Sequence, residues 1–186
     1  QGVAKLYCLP KTAWPRLSTQ QIHPFPPLYD ARSEVLILGS FPSVKSRTAQ
    51  FFYHHPQNRF WRVLAAVFRQ PVPQTKAEKT AFLLQNHVAL WDVISQCEIA
   101  GSADLSIRNV VPNDLSPILQ NAPIRSIFCN GATAFRLYQK HLLPVTGRVA
   151  TQLPSTSPAN ASWNLERLIE AWQAIARKES TTACSE

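Results

Sequence analysis

The chain has 186 residues, 45% of them hydrophobic, which is enough to bury one sizeable core and gives little reason to expect two domains. With 19 Lys and Arg against 11 Asp and Glu, the net charge of +8 favours a polyanionic partner, although charge alone does not separate DNA, RNA and anionic membrane. No apolar run approaches the ~18 residues of a membrane span and no signal peptide is evident, so we expect an intracellular, cytoplasmic protein.

The four cysteines are too scattered to predict a metal site. Cys8, Cys97, Cys129 and Cys184 form no CxxC pair. Because zinc and iron–sulfur sites need clustered thiolates, the spacing predicts reduced, unpaired cysteines and no bound metal.

The chain divides into an extension, one domain and a tail. Residues 1–22 have no clear periodicity and are predicted to be an N-terminal extension, residues 23–178 to be the domain, and residues 179–186 to be a C-terminal tail. Within the domain, the proline-rich HPFPPLYD (residues 23–30) predicts an extended lead-in. VLILGS (residues 35–40) then predicts a buried strand.

Helices and strands alternate from there onward. Helices are predicted over residues 59–68, 75–87, 113–122 and 132–140, with Asn58 at the N-cap of the first. Strands are predicted over residues 89–93, 124–130 and 148–154. A last helix is indicated by an apolar stripe made of Leu165, Leu168, Ile169, Trp172 and Ile175.

This alternation predicts an α/β fold: a three-layer α/β/α sandwich on a mainly parallel, four-stranded sheet. In such sheets the active site lies beyond the carboxyl ends of the strands. The segments that leave the strands are GSFPS (residues 39–43), the residues after Val93, CNG (residues 129–131) and LPSTSPAN (residues 153–160). We therefore expect the functional residues there.

The loop over residues 39–61, GSFPSVKSRTAQFFYHHPQNRFW, has a composition suited to handling nucleobases. Its consecutive aromatics Phe51, Phe52 and Tyr53 offer stacking faces worth ~1–3 kcal/mol per base. Backbone N–H groups in its turns can hold a phosphate or a base edge. From the residues alone, an equally good interpretation is that the aromatics are core residues and Asn58 is only a helix cap.

The loop LPSTSPAN has two prolines, three hydroxyl side chains and an asparagine before the last helix. It can bind DNA phosphates through its serines and backbone N–H groups. A hydrophilic strand-to-helix turn is the more ordinary explanation of the same composition. Neither loop by itself identifies an enzyme.

In their order and placement, seven segments resemble the uracil-DNA glycosylase superfamily, and most of all its deoxyinosine (hypoxanthine) DNA glycosylase branch. They span residues 25 to about 177 and comprise FPPLYD, VLILGSFPS, HPQNRFW, LWDVI, SIRNVVPND, CNG and LPSTSPAN. The resemblance implies a parallel four-stranded α/β/α fold, flipping of a deaminated base out of DNA, and hydrolysis of its N-glycosidic bond without a cofactor. We expect hypoxanthine as the base, an abasic site as the product, and a monomer as the active form.

The resemblance also implies site residues. Asn58 is the implied catalytic residue; its neutral amide can orient a water or stabilise the leaving group but cannot act as a strong base. The implied base-binding residues are Gly39, Ser40, Phe41, Tyr53 and Asn109. The implied DNA-binding residues are Pro42, Ser43, Ser155, Ser157 and Asn160.

Three positions depart from other branches of the superfamily. Phe41 stands where those branches have a catalytic Asp or Asn, and it cannot orient water. Ser155 stands where many have His or Asn, and Ala159 stands where related loops insert a bulky apolar side chain. We therefore do not expect a uracil-specific mechanism to carry over whole.

Three other functions remain open. A mismatch-directed uracil glycosylase would share the fold, and so would a non-catalytic DNA-binding module. A small-molecule α/β hydrolase ranks last, because the chain has no GxSxG nucleophile elbow.

Overall fold

The computed structural model describes residues 19–100 and 104–176, so most of the predicted extension and the whole C-terminal tail lie outside the described residues. In chain order the strands are β1 Thr19–Ile22, β2 Val35–Gly39, β3 Val88–Asp92, β4 Ile94–Ile99, β5 Arg108–Pro112, β6 Ser126–Asn130 and β7 Thr151–Leu153. The α-helices are α1 Val44–Ala49, α2 Phe60–Val67, α3 Lys76–Gln85, α4 Ser116–Asn121, α5 Ala132–His141, α6 Leu143–Thr146 and α7 Leu165–Trp172.

Four strands form a parallel sheet in the order β3-β2-β6-β7. Val35 pairs with both Val88 and Ser126, and Gly39 pairs with Asp92, so the carboxyl ends of β2 and β3 lie side by side. Four of the five residues of β2 are buried, as expected for a parallel strand that is covered on both faces. The predicted α/β fold on a parallel four-stranded sheet is confirmed.

Successive residues of β2 contribute to two hydrophobic clusters on opposite faces of the sheet. Leu36 and Leu38 belong to the cluster that includes residues of α4 and α5. Ile37 belongs to the cluster that includes residues of α2, α3 and α7. This alternation follows from the two-residue repeat of a strand and yields the predicted helix–sheet–helix layers.

A second, three-stranded antiparallel sheet was not predicted from the sequence. Its order is β1-β4-β5, and Val93 alone separates β3 of the first sheet from β4 of the second. Residues 19–22, predicted to belong to the extension, instead form β1 and pair with β4 from Thr19–Ile99 to Ile22–Gln96. The prediction missed them because TQQI is mostly exposed and has no apolar alternation.

The helix boundaries follow recognisable caps. Thr75 and Glu78 form a capping box at the start of α3, and Asn164 caps α7. The N-cap of α2 is Arg59, one residue later than predicted, although Asn58 Oδ1 still accepts a hydrogen bond from the Phe60 N–H at 3.0 Å. In the part of the chain that the structure describes, no helix is long and apolar enough to cross a membrane.

Candidate active site

A cavity of about 1270 Å³ opens at the carboxyl ends of the parallel strands. Its lining includes residues 39–46 after β2, Asp92 at the end of β3, Asn130 at the end of β6 and residues 154–160 after β7. These are the segments in which the sequence predicts the site, so the position of the cavity follows from the strand topology.

A hydrogen-bond network connects Asn58 to two strand ends. Asn130 Nδ2 donates to Thr156 Oγ1 at 3.0 Å, and Thr156 Oγ1 donates to Asn58 Oδ1 at 2.9 Å. The Thr156 N–H donates back to Asn130 Oδ1 at 3.0 Å, and Thr156 is fully buried. Because Asn58 Oδ1 already accepts from Thr156 and from the Phe60 N–H, its Nδ2 is the group left to meet a ligand.

Tyr53 lies in the cavity wall with one ring face covered. Its ring stacks on Phe60 with centroids 3.9 Å apart. The Tyr53 hydroxyl is buried and has no hydrogen-bond partner among the described residues. Burial raises its pKa above the ordinary value and the charge of Asp92 raises it further, while the Asn130 amide, already bonded to Thr156, opposes the shift. Tyr53 is therefore a neutral phenol.

The other two aromatics of the run have different positions. Phe52 lines the cavity but is buried in the core, where it packs edge-on against Phe25 at 4.7 Å. Phe51 stacks on Trp61 at 6.2 Å and does not line the cavity. Of the three, Tyr53 and Phe52 therefore line the cavity, and the partly buried Phe51 packs against α2 instead.

Two carboxylates that the sequence did not single out also line the cavity. Asp92 is buried, and its Oδ2 lies 2.8 Å from Nε2 of His23. Asp104 accepts a hydrogen bond from Ser40 Oγ at 3.1 Å. The Asp104 residue is open to solvent, but protein atoms crowd its carboxyl; this desolvation and the charge of Asp92 raise its pKa, while the Ser40 hydrogen bond lowers it.

In the segment that leaves β2 (residues 39–43, the first loop), several groups predicted to bind the base or DNA already make hydrogen bonds within the protein. Ser43 caps α1: its Oγ accepts from the Ser46 N–H at 3.2 Å and donates to Ser46 Oγ at 3.1 Å. The Pro42 carbonyl accepts from Arg47 Nη1 at 2.8 Å. The carbonyls of Gly39 and Ser40 accept from the N–H groups of residues 93 and 94. A ligand therefore meets a rigid loop here.

Arg59 fixes the shape of the second loop, residues 154–163 between β7 and α7. Its guanidinium donates to the main-chain carbonyls of residues 156, 157, 160 and 163. Ser155 Oγ accepts from the Ser157 N–H, and Ser157 Oγ accepts from the Ala159 N–H, both at 3.2 Å. Each serine hydroxyl thus keeps its own O–H available as a donor. Asn160 instead uses its Nδ2 to bond the Ser155 carbonyl at 2.9 Å.

Gly131 allows this loop to approach the end of β6. Its φ is +98°, and a Cβ at this position would lie 2.9 Å from Cβ of Ser155. The CNG segment is therefore explained by a close approach that a larger residue would prevent.

The structure brings all of the predicted site residues to the cavity except Asn109. Asn109 lies on β5 in the small sheet, is exposed, and donates from Nδ2 to Glu98 Oε1 at 2.8 Å. The residue of the SIRNVVPND segment that supports the site is Asn113, whose buried amide bonds the main-chain carbonyls of Asp92 and Ile94. Asn109 was expected at the site because its segment matches as a whole, and only the register of β5 shows which asparagine turns inward.

The cavity residues and supports that sequence reasoning missed include Asp92, Asn130, Thr156 and His23. A signal existed for three of them, since Asp92, Asn130 and Thr156 stand at or just after predicted strand ends. His23 carries no such signal because it reaches the site from the N-terminal lead-in, 69 residues before its partner.

The described residues contain no group of three or more His, Cys, Asp and Glu positioned to hold a metal ion. Cys97 and Cys129 are buried free thiols, and burial raises their pKa to about 11 and about 12. Cys8 and Cys184 lie outside the described residues.

Comparison with known proteins places these features in a family. The family described as the uracil DNA glycosylase superfamily matches residues 26–176. A hypoxanthine DNA glycosylase of Methanosarcina acetivorans is 33% identical over 154 residues, which is 82% of this chain and 96% of the relative. A hypoxanthine DNA glycosylase of Methanosarcina barkeri is 32% identical over 109 residues, 58% of this chain and 69% of the relative.

A solved structure agrees with the fold. The solution NMR structure of a Methanosarcina acetivorans protein, described as a uracil DNA glycosylase, matches with a TM-score of 0.69 and 31% identity over 82% of this chain and 97% of that one. The names of these relatives agree on the enzyme class and differ on the base.

Proposed function

The chain belongs to the uracil DNA glycosylase superfamily, and we propose that it is a DNA glycosylase that removes hypoxanthine from DNA, leaving an abasic site. A DNA substrate is consistent with the net charge of +8. We further propose that it acts as a monomer in the compartment that holds the DNA.

The observation that carries the proposal is the orientation of the Asn58 amide. Because Oδ1 is held by Thr156 and the Phe60 N–H, Asn58 presents N–H donors from Nδ2. Cleavage of the glycosidic bond leaves negative charge on the departing base and positive charge on the sugar. A fixed N–H donor stabilises such a developing anion, so leaving-group stabilisation fits Asn58 better than activation of a water.

The remaining cavity residues fit the handling of a flipped base. A base extruded from the duplex would stack on the Tyr53 ring face opposite Phe60. The free hydroxyl hydrogens of Ser155 and Ser157 would donate to phosphates beside the lesion. Ser43 and Asn160 would act by shaping their loops, because their side chains are bonded within the protein.

The choice of base is tested with otherwise identical duplexes that carry hypoxanthine, uracil, xanthine or a normal base. We expect hypoxanthine to be released fastest under single-turnover conditions. Release of uracil faster than hypoxanthine opposite every partner base would assign the chain as a mismatch-directed uracil glycosylase. Binding to these duplexes without formation of an alkali-labile product would instead assign the chain as a non-catalytic DNA-binding module.

The role of Asn58 is tested by Asn58→Ala. We expect single-turnover excision to fall ~10²-fold or more with DNA affinity largely retained. Asn121→Ala removes an exposed asparagine at the end of α4, whose Nδ2 donates to the Pro117 carbonyl, and serves as the matched control. Wild-type rates for Asn58→Ala would reduce this residue to a support for α2.

A further inference from the structure

A buried histidine–carboxylate pair lies in the cavity wall apart from the Asn58 network. His23 Nε2 and Asp92 Oδ2 are 2.8 Å apart, and their side chains are 4% and 6% exposed. Asp92 ends β3 and lines the cavity, whereas His23 lies behind it. The carbonyls of Asp92 and Ile94 are held by Asn113, so the main chain carrying the carboxylate is fixed.

The hydrogen bonds of His23 determine how many protons the pair holds. Its Nδ1 lies 2.8 Å from the Phe25 carbonyl oxygen, which can only accept, so Nδ1 carries a hydrogen. The short contact between Nε2 and Asp92 then needs one further proton between the two groups. Whether that proton is on nitrogen or on oxygen, the pair holds one shared proton and is neutral overall.

Aromatic rings surround His23, so the shared proton has no path to solvent past the imidazole. The His23 ring is in contact with four aromatic rings, with centroid distances of 4.5 to 6.5 Å, from Phe25, Phe41, Phe52 and Trp91. Phe41, which by resemblance stands where other branches have a polar residue, packs edge-on against the histidine ring at 6.0 Å. Aromatic rings offer no group that accepts a proton, so the route by which a proton leaves the pair is through the Asp92 carboxyl.

The Asp92 carboxyl, by contrast, lines the cavity, so a proton can pass from it to a bound ligand. Gly39 is the register neighbour of Asp92, and a Cβ on Gly39 would lie 2.2 Å from Asp92 Oδ1. No described residue donates a hydrogen bond to Oδ1. The titratable groups that face this carboxyl are His23, the Tyr53 hydroxyl and Asp104. They come from the lead-in to β2, the loop after α1 and the short 3-10 helix Asp104–Ser106 after β4.

We propose that the His23–Asp92 pair is the general acid of the reaction, with Asp92 as the catalytic residue that protonates the departing base and His23 as the positioning residue that returns the proton. This inference rests on the proposed function and adds a role that Asn58 cannot fill, because a neutral amide does not release a proton near neutral pH. A protonated purine leaves as a neutral molecule, which lowers the barrier to cleavage.

Atoms and charge balance in this step. The bond between C1′ of the sugar and the purine ring nitrogen breaks, and its electron pair stays on the base. The Asp92 carboxyl proton passes to a ring nitrogen or carbonyl oxygen of that base. A water adds to C1′ from the cavity, and the proton that it loses restores the Asp92–His23 pair. The products are the neutral base and an abasic sugar, with no oxidant or other reactant consumed.

Asp92→Asn tests the proposal without removing the hydrogen bond. The asparagine amide can donate to Nε2 of neutral His23 while Nδ1 still donates to Phe25, so the variant keeps the contact and loses the transferable proton. We expect single-turnover excision of hypoxanthine to fall ~10²-fold or more. If a general acid acts in the reaction, we expect wild-type excision to slow as the pH rises, and we expect Asp92→Asn to abolish that decrease.

Three controls separate this role from a structural one. Affinity for DNA carrying non-cleavable 2′-fluoro-deoxyinosine and the melting temperature should stay near wild type in Asp92→Asn. His87→Asn removes the histidine of an exposed pair, 3.8 Å from Glu34, and should retain rate and pH profile. Asp104→Asn removes the other cavity carboxyl and should retain the pH-dependent decrease in rate.

Each outcome has a distinct meaning for the pair. Asp92→Asn within threefold of the wild-type rate, or with an unchanged pH profile, overturns the acid role. The acid role is also overturned if Asp104→Asn, and not Asp92→Asn, abolishes the pH dependence. If wild-type protein releases no hypoxanthine at all, the proposed function fails before the acid role is reached.

Discussion

Arg59 is expected to hold the second loop in its active shape, and Arg59→Lys should release it. The side chain is half-buried, and its guanidinium donates to four carbonyls of the loop over residues 156–163. The donor–acceptor distances are 2.7 Å from Nη2 to the Ser157 carbonyl oxygen and 3.1 Å from Nη2 to the Asn160 carbonyl oxygen. Partial burial and the charge of Arg62 lower the pKa of Arg59, and the four carbonyls offset the cost of partly burying this cation.

The magnitude follows from the number of hydrogen bonds lost. A hydrogen bond to a charged group contributes ~1.5–3 kcal/mol, and a compact ammonium cannot reach carbonyls spread around the plane of a guanidinium. Losing two or three of the four bonds, with water replacing some of them, should cost ~2–4 kcal/mol of unfolding free energy. Because this loop carries Thr156, which orients Asn58, excision should also fall at least ~10-fold at temperatures where the variant is folded.

Chemical denaturation and single-turnover excision measure the two effects. Arg62→Lys, an exposed neighbour on the same helix, is the matched control and should change neither quantity appreciably. If Arg59→Lys unfolds within ~0.5 kcal/mol of wild type and excises at the same rate, the loop does not depend on this side chain.

Three further expectations concern the network, the strand ends and the charge. Thr156→Val removes the hydroxyl that orients Asn58 and should slow excision at least ~10-fold, whereas Thr156→Ser keeps the hydroxyl and should stay near the wild-type rate. Equal rates for the two variants would show that excision does not depend on this hydrogen bond. Gly39→Ala places a methyl against the Asp92 carboxylate and should cost ~1–3 kcal/mol and most of the activity. The comparison is Gly147→Ala, which has open space and a φ of +64° and should lose stability alone; an active Gly39→Ala would refute the close approach. DNA affinity should fall log-linearly with salt, and a flat titration would contradict phosphate neutralisation by the +8 charge.

Local patterns in the sequence determined the scaffold of this protein. VLILG predicted a strand covered on both faces, and the alternation of apolar runs with helical stripes predicted a parallel four-stranded sheet. That topology in turn placed the site at the strand ends, where the cavity lies. These features are encoded within windows of a few residues, which is why they can be read directly.

The small antiparallel sheet escaped prediction for the converse reason. Its strands β1 and β5 are short and largely exposed, so no apolar period marks them. Asn109 and Asn113 stand four residues apart in one matching segment, and only the register of β5 and the turn after it sends one outward and the other into the core.

Only the tertiary structure decided which side chains meet in the site. The His23–Asp92 pair joins residues 69 positions apart, and Arg59 reaches carbonyls about 100 positions away. Such contacts depend on strand order and register, which bring distant strand ends to one edge of the sheet. Residue type indicated that an asparagine could serve a glycosylase; the two donors on its Oδ1 determined which end of its amide faces the cavity.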